Sequence, residues 1–157
     1  MKAWPPKVFL WRISNYVDLS GYGGLKASAR WHMRGRRIVY LSSSPASALL
    51  EILVHLEIEE EHLPRSYKLM EVEVPDDVRI EKLEDWAELP KNWRKQLMLT
   101  RMLGNQWLER NSCALLEVPS ALVPHTRNFL LNPQHKDAAR ITIISVSKHR
   151  LDRRLLQ

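Results

Sequence analysis

A chain of 157 residues, 45% of them hydrophobic, has material for one substantial core and too little for a second domain. Its single cysteine, Cys113, excludes an intrachain disulfide and fits a reducing compartment. A net charge of +6 raises nucleic acid as a partner, but the basic residues fall in three separate clusters, around Arg34–Arg37, Lys91–Lys95 and Lys148–Arg154, with no interleaved aromatics and no helix-turn-helix or zinc-finger pattern.

Val8 to Ile13 reads as a strand, and Ser14 to Ala29, with Gly21, Gly23 and Gly24, as a mobile loop. Arg37 to Ser42 is a second strand. Ser44-Pro45 then supplies a helix N-cap and a proline at the first helical position, and the apolar period Leu49, Ile52, Leu53, Leu56 predicts a helix to about Glu57, ended by the acidic run Glu57 to Glu61. Tyr67 to Val74 alternates as a half-buried strand, Pro75-Asp76-Asp77 is a turn, and Val78 to Glu81 continues the sheet. Asn92 to Arg110 is the longest helical segment. Strands are expected again at Ala114–Val118, Ala121–Val123, Phe129–Leu131 and Ile141–Val146, with residues 151–157 as a basic tail or a short last helix. Strands on both sides of two helices, without regular βαβ alternation, predict a single α+β domain over residues 1–157. No apolar run follows Met1-Lys2 and no greasy segment reaches membrane-spanning length, so the expected location is cytoplasmic.

Function is arguable in the Pro45 helix. Ser44, Ser47, Glu51 and His55 are spaced three, four and four apart and so line one stripe, while Leu49, Ile52, Leu53 and Leu56 occupy much of the rest. Periodicity alone lets that stripe face either water or a site. Tyr40, at the end of the preceding strand, and Arg30 before it are placed to reach the same cavity. Arg30 is either a surface cation or a planar fork for phosphate oxygens, and Trp31 either walls a nucleotide or fills the core. Ser120 in Val118-Pro-Ser120 reads first as a turn cap, and no Gly-x-Ser-x-Gly elbow surrounds it. His55, His62, His125 and His135 lack a spacing such as His-Glu-x-x-His, so no metal is expected.

Taken in order, Trp11-Arg12, Ala29-Arg30-Trp31-His32, Tyr40-Leu41, Ala48-Leu-Leu-Glu51, Val118-Pro-Ser120 and Asn128-Phe-Leu-Leu-Asn132-Pro-Gln-His135 resemble the motif series of the RES (Arg-Glu-Ser) domain, a family of toxins in bacterial toxin–antitoxin pairs. The resemblance covers nearly the whole chain. Three positions depart from it: Ser28 and Ala29 stand where glycines are expected, and His32 where asparagine is. The resemblance implies a mixed β core with flanking helices like that of ADP-ribosyltransferases. It also implies NAD as substrate, cut between nicotinamide and ribose, with water or inorganic phosphate as acceptor; protein ADP-ribosylation and a noncatalytic partner-binding module are the alternatives. On this reading Glu51 is the catalytic carboxylate and Arg30 holds pyrophosphate or phosphate. Tyr40 stacks on nicotinamide or donates its hydroxyl, Ser120 binds ribose or orients Glu51, and Trp31 lines the nucleotide site. The implied partner is an Xre-like antitoxin that itself carries the DNA contact.

Overall fold

Apolar residues stand side by side in Ala114-Leu115-Leu116 and in Phe129-Leu130-Leu131, and a strand written that way needs cover on both faces. The computed structural model, which describes residues 7–55 and 64–156, supplies that cover. Its strands are β1 (Val8–Ile13), β2 (Val39–Ser42), β3 (Ser66–Val74), β4 (Ile80–Lys82), β5 (Leu115–Pro119), β6 (Arg127–Leu131) and β7 (Thr142–Arg150). They form one sheet in the order β4-β5-β6-β2-β1-β3-β7, with β4 and β5 parallel and the other neighbours antiparallel. With helices α1 (Tyr22–Lys26), α2 (Pro45–His55) and α3 (Leu97–Arg110), the molecule is an α+β domain.

Alternation sorts the side chains. Leu10, Val39, Leu41, Val72, Leu115 and Leu131 build a core on one face, while Leu116, Val118 and Leu130 meet Trp31, Leu103 and Trp107 on the other. Each fully buried Leu or Val contributes about 1.5–3 kcal/mol relative to exposure, so this two-sided burial is the main stabilising term. Cys113 is buried beside the second core, its thiol donating to the Leu115 carbonyl at 3.1 Å.

Ser44 caps α2 as its position predicts. Its Oγ accepts the Ser47 N–H at 3.1 Å, and Pro45 occupies the first turn, where its missing donor costs nothing. The helix lies against β1 and β2. Its expected end at Glu57 and the acidic run Glu57 to Glu61 lie outside the described residues.

Four expectations are corrected. Asn92 to Arg110 is not one helix: a 3-10 turn at Trp93–Lys95 is separated from α3 by Gln96, with φ −105° and ψ 72°. The break lets Trp93 drop into the second core, at 7% exposure. Ala121–Val123 is a turn, because the N–H groups of Leu122 and Val123 both go to Ser120 Oγ and are lost to any strand ladder. The segment from Ser14 to Ala29 contains α1, entered through Gly21 in the left-handed region at φ 73°. Sheet pairing after Pro75 begins at Ile80, and Val78 instead packs into the first core. At the other end β7 extends past Val146 to Arg150, and a 3-10 turn at Arg153–Leu156 closes the described chain.

Candidate active site

Glu51 of α2 reaches toward the sheet. On β6, Asn128 sits opposite Ser42 of β2 and Val118 of β5, and its side chain shares a face with Tyr40 and Leu130. From there Asn128 Nδ2 donates to Glu51 Oε1 at 2.8 Å. Ser120, two residues beyond Val118, donates its hydroxyl to the same oxygen at 3.2 Å. Glu51 is half-buried, and among the described residues it has no cationic partner and no hydrogen bond to Oε2. One carboxylate oxygen is thus tethered by neutral donors, and the other keeps its lone pairs and its share of the charge.

Ser120 has no capacity to spare. Its single proton goes to Glu51, and its two acceptor sites take the Leu122 and Val123 N–H groups at 3.1 and 3.2 Å. It is both a turn cap and the group that aims Glu51, and its own N–H donates to the Thr126 carbonyl at 2.9 Å to close the turn.

A second polar assembly surrounds residues 29–33, which lie along one side of α3. Thr100 Oγ1 donates to the Arg30 carbonyl at 2.6 Å, Arg101 Nε to the Ala29 carbonyl at 2.8 Å, and Asn105 Oδ1 accepts the Met33 N–H at 3.2 Å. Gly104 lies among these residues, and a side chain there would run into the Trp31 carbonyl. The Arg30 guanidinium donates to the Arg94 carbonyl at 3.0 Å, an acceptor available because Arg94 belongs to the 3-10 turn and not to α3. Its remaining N–H groups have no carboxylate among the described residues.

The Tyr40 hydroxyl is committed in the same way. It accepts the Trp31 N–H at 3.1 Å and lies 2.7 Å from His32 Nδ1, while His32 Nε2 lies 3.3 Å from the Gly24 carbonyl. A carbonyl only accepts, so Nε2 carries the proton and Nδ1 receives the tyrosine O–H. Burial holds the Tyr40 hydroxyl well above the ordinary phenol range and pushes the His32 pKa down, keeping both neutral.

A model of the RES domain family matches residues 9–154. The chain belongs to the RES domain family. This RES-domain protein is 50% identical over 131 residues to a protein named Toxin Res from Pseudomonas putida, a match covering 83% of this chain and 88% of that one. It is 37% identical over 156 residues to a protein named Prs ADP-ribosylating toxin from Sphingobium sp., covering 94% and 96%. Its fold is similar to that of a chain in the crystal structure of the M. tuberculosis MbcT–MbcA toxin–antitoxin complex, with a TM-score of 0.68 over 92% of this chain and 85% of that one, at 14% identity.

Within the RES domain the five residues singled out from the motifs fall into two groups. Glu51 and Ser120 are in contact; Arg30, Trp31 and Tyr40 form the other set, tied through the Trp31 N–H. Tyr40 and Asn128, the residue that holds Glu51, are diagonal neighbours on adjacent strands, so the two groups approach the same sheet face. Trp31 is 2% exposed and packs on Trp93 with ring centroids 5.8 Å apart, so its ring fills the core. Of the three positions that depart from the motif series, two make side-chain contacts: Ser28 Oγ accepts the Arg34 N–H at 2.8 Å, and His32 holds Tyr40. Clefts of about 330 and 310 Å³ open along α3, and neither is lined by Glu51 or Ser120.

Asn128 received no role from the motif, although one signal pointed to it. It is an amide directly before the apolar run Phe129–Leu131, in step with the buried Leu130. Thr100, Arg101 and Asn105 left no comparable trace, because residues that bond a distant backbone have no periodicity of their own.

Proposed function

We propose that this RES-domain protein is the toxin of a toxin–antitoxin pair and acts in the cytoplasm on NAD, cleaving the bond between nicotinamide and ribose. The observation that carries the reading is the Glu51 carboxylate, half-buried, tethered through one oxygen by Ser120 and Asn128 and with no counter-cation among the described residues. When nicotinamide leaves with the electron pair of the C–N bond, positive charge develops on the ribose. A fixed carboxylate beside that carbon stabilises the transition state more than the ground state. The untethered Oε2 of Glu51 is the oxygen in this role.

Arg30, with most of its guanidinium free, grips the pyrophosphate or an incoming phosphate. Tyr40 acts through its ring, stacking on nicotinamide, because its O–H is spent on His32; Trp31 carries Arg30 and Tyr40 in register from inside the core. Water at the ribose carbon yields ADP-ribose and a proton, and inorganic phosphate yields ADP-ribose-1-phosphate. An Xre-like antitoxin restrains the toxin, and the exposed basic residues of the 91–95 and 148–154 segments suit an acidic surface on that partner.

One observation favours a second reading. The Sphingobium relative, matched over almost its full length, is named for ADP-ribosylation, so a protein nucleophile in place of water is the alternative acceptor. The experiment is NAD consumption by the purified, antitoxin-free chain with and without phosphate, products identified by mass. Free nicotinamide with ADP-ribose or its 1-phosphate supports cleavage and names the acceptor. Nicotinamide release only when a protein is added, with that protein gaining ADP-ribose, supports transfer. Intact NAD under every condition, from folded protein, overturns both and leaves a noncatalytic binding module.

A further inference from the structure

We infer that Asn128 is a positioning residue for Glu51, a role that rests on the catalytic reading of Glu51 given above. Its amide does one thing in the structure: Nδ2 donates to Glu51 Oε1 at 2.8 Å. The other half, Oδ1, is enclosed and has no hydrogen-bond partner among the described residues. The amide orientation follows from charge, since turning it over would set Oδ1 against a carboxylate oxygen.

An enclosed acceptor without a partner works against folding, and an apolar side chain of similar size would avoid that cost. Leu130, Leu116 and Val118 on the same face show that this surface takes aliphatic residues well. The position therefore holds a side chain that suits the core poorly and serves the carboxylate well. Ser120 approaches the same oxygen from the end of β5, while Asn128 approaches from β6. Two donors from two strands fix the carboxylate against rotation; with one, it pivots about that single bond. Oε2 then loses its aim, and misplacement by about an ångström in such a site costs about a hundredfold in rate.

The test uses Asn128→Leu and Asn128→Asp in the full chain. For Asn128→Leu the expected result is kcat for NAD lowered about tenfold to a hundredfold, KM little changed, and a urea unfolding midpoint equal to or above the parent's. Asn128→Asp, which sets a second carboxylate against Glu51, lowers kcat further. A merely structural role moves the other way, with a lowered midpoint and an unchanged kcat; that result overturns the inference.

A double-mutant cycle of Asn128→Leu with Glu51→Ala, read by urea unfolding, needs no turnover. Non-additive effects show that the amide acts on Glu51, and additive ones overturn the inference whatever the enzyme does. If the parent leaves NAD intact yet the cycle is coupled, the NAD reading has failed and the pairing of Asn128 with Glu51 stands.

Discussion

The two polar assemblies on this sheet face differ in how much hydrogen-bonding capacity they leave unspent. Around Tyr40 the hydroxyl, the His32 ring and the backbone of residues 29–33 are consumed by one another and by α3. Around Glu51 one carboxylate oxygen is held and the other is not. Saturated networks specify geometry, and unsaturated groups beside them do chemistry. The proposed function needs both: on that reading the Tyr40–Trp31–His32 assembly is the frame in which Arg30 is presented.

The largest effect expected from this contrast is at its reactive side. Glu51→Gln keeps the volume and both tethers' geometry but removes the charge. NAD cleavage is expected to fall by about a hundredfold to a thousandfold with the unfolding midpoint close to the parent's. Parent-like NAD consumption by this variant would take the carboxylate out of the mechanism. On the frame side, Gly104→Ala tests steric fit. Helix propensity alone favours alanine by about 1 kcal/mol, whereas the approach of the Trp31 carbonyl predicts a loss of about 3 kcal/mol from overpacking. The sign of the change in denaturation midpoint decides between them.

Ser120→Ala lies between the two. Its hydroxyl both aims Glu51 and satisfies two turn N–H groups, so stability and kcat should drop together, the former by about 1–2 kcal/mol. Here the contrast with Asn128→Leu is sharp, because that change lowers kcat without lowering stability. Equal behaviour of the two variants would mean that the two tethers of Glu51 are not distinct in kind.

How far these assemblies were legible in sequence follows the same division. The helix of Glu51 is readable because Ser44-Pro45 and the apolar period are local signals, β3 because its alternation is local too, and β1 and β6 because short apolar runs are. Glu51 and Ser120 stood out as motif residues, yet their contact spans 69 positions and no spacing records it. The segment 121–123 reads as a strand for a related reason: it is an apolar run, but a single upstream hydroxyl captures the donors of Leu122 and Val123. The break at Gln96 was hidden because each residue from Asn92 to Lys95 tolerates a helix, and burial of Trp93 decided otherwise.

The smallest expected effect concerns the frame's response to pH. His32 is 1% exposed and neutral, its pKa lowered mainly by burial, and the unfolded chain's histidine takes a proton near the ordinary value of 6.5. Below that pH the unfolded state binds a proton that the folded state resists. Stability therefore declines as pH falls through 6.5 and keeps declining until the depressed folded-state pKa is reached. Above that window His32 contributes no slope. His32→Asn removes this component, so the difference in urea midpoint between parent and variant should be flat from pH 7.5 to about 8.5 and should shift in the variant's favour toward pH 5. Parallel curves across the range would mean that the ring takes up a proton in place. The Tyr40 O–H would then lose its acceptor, and the saturated half of the site would become an unsaturated one.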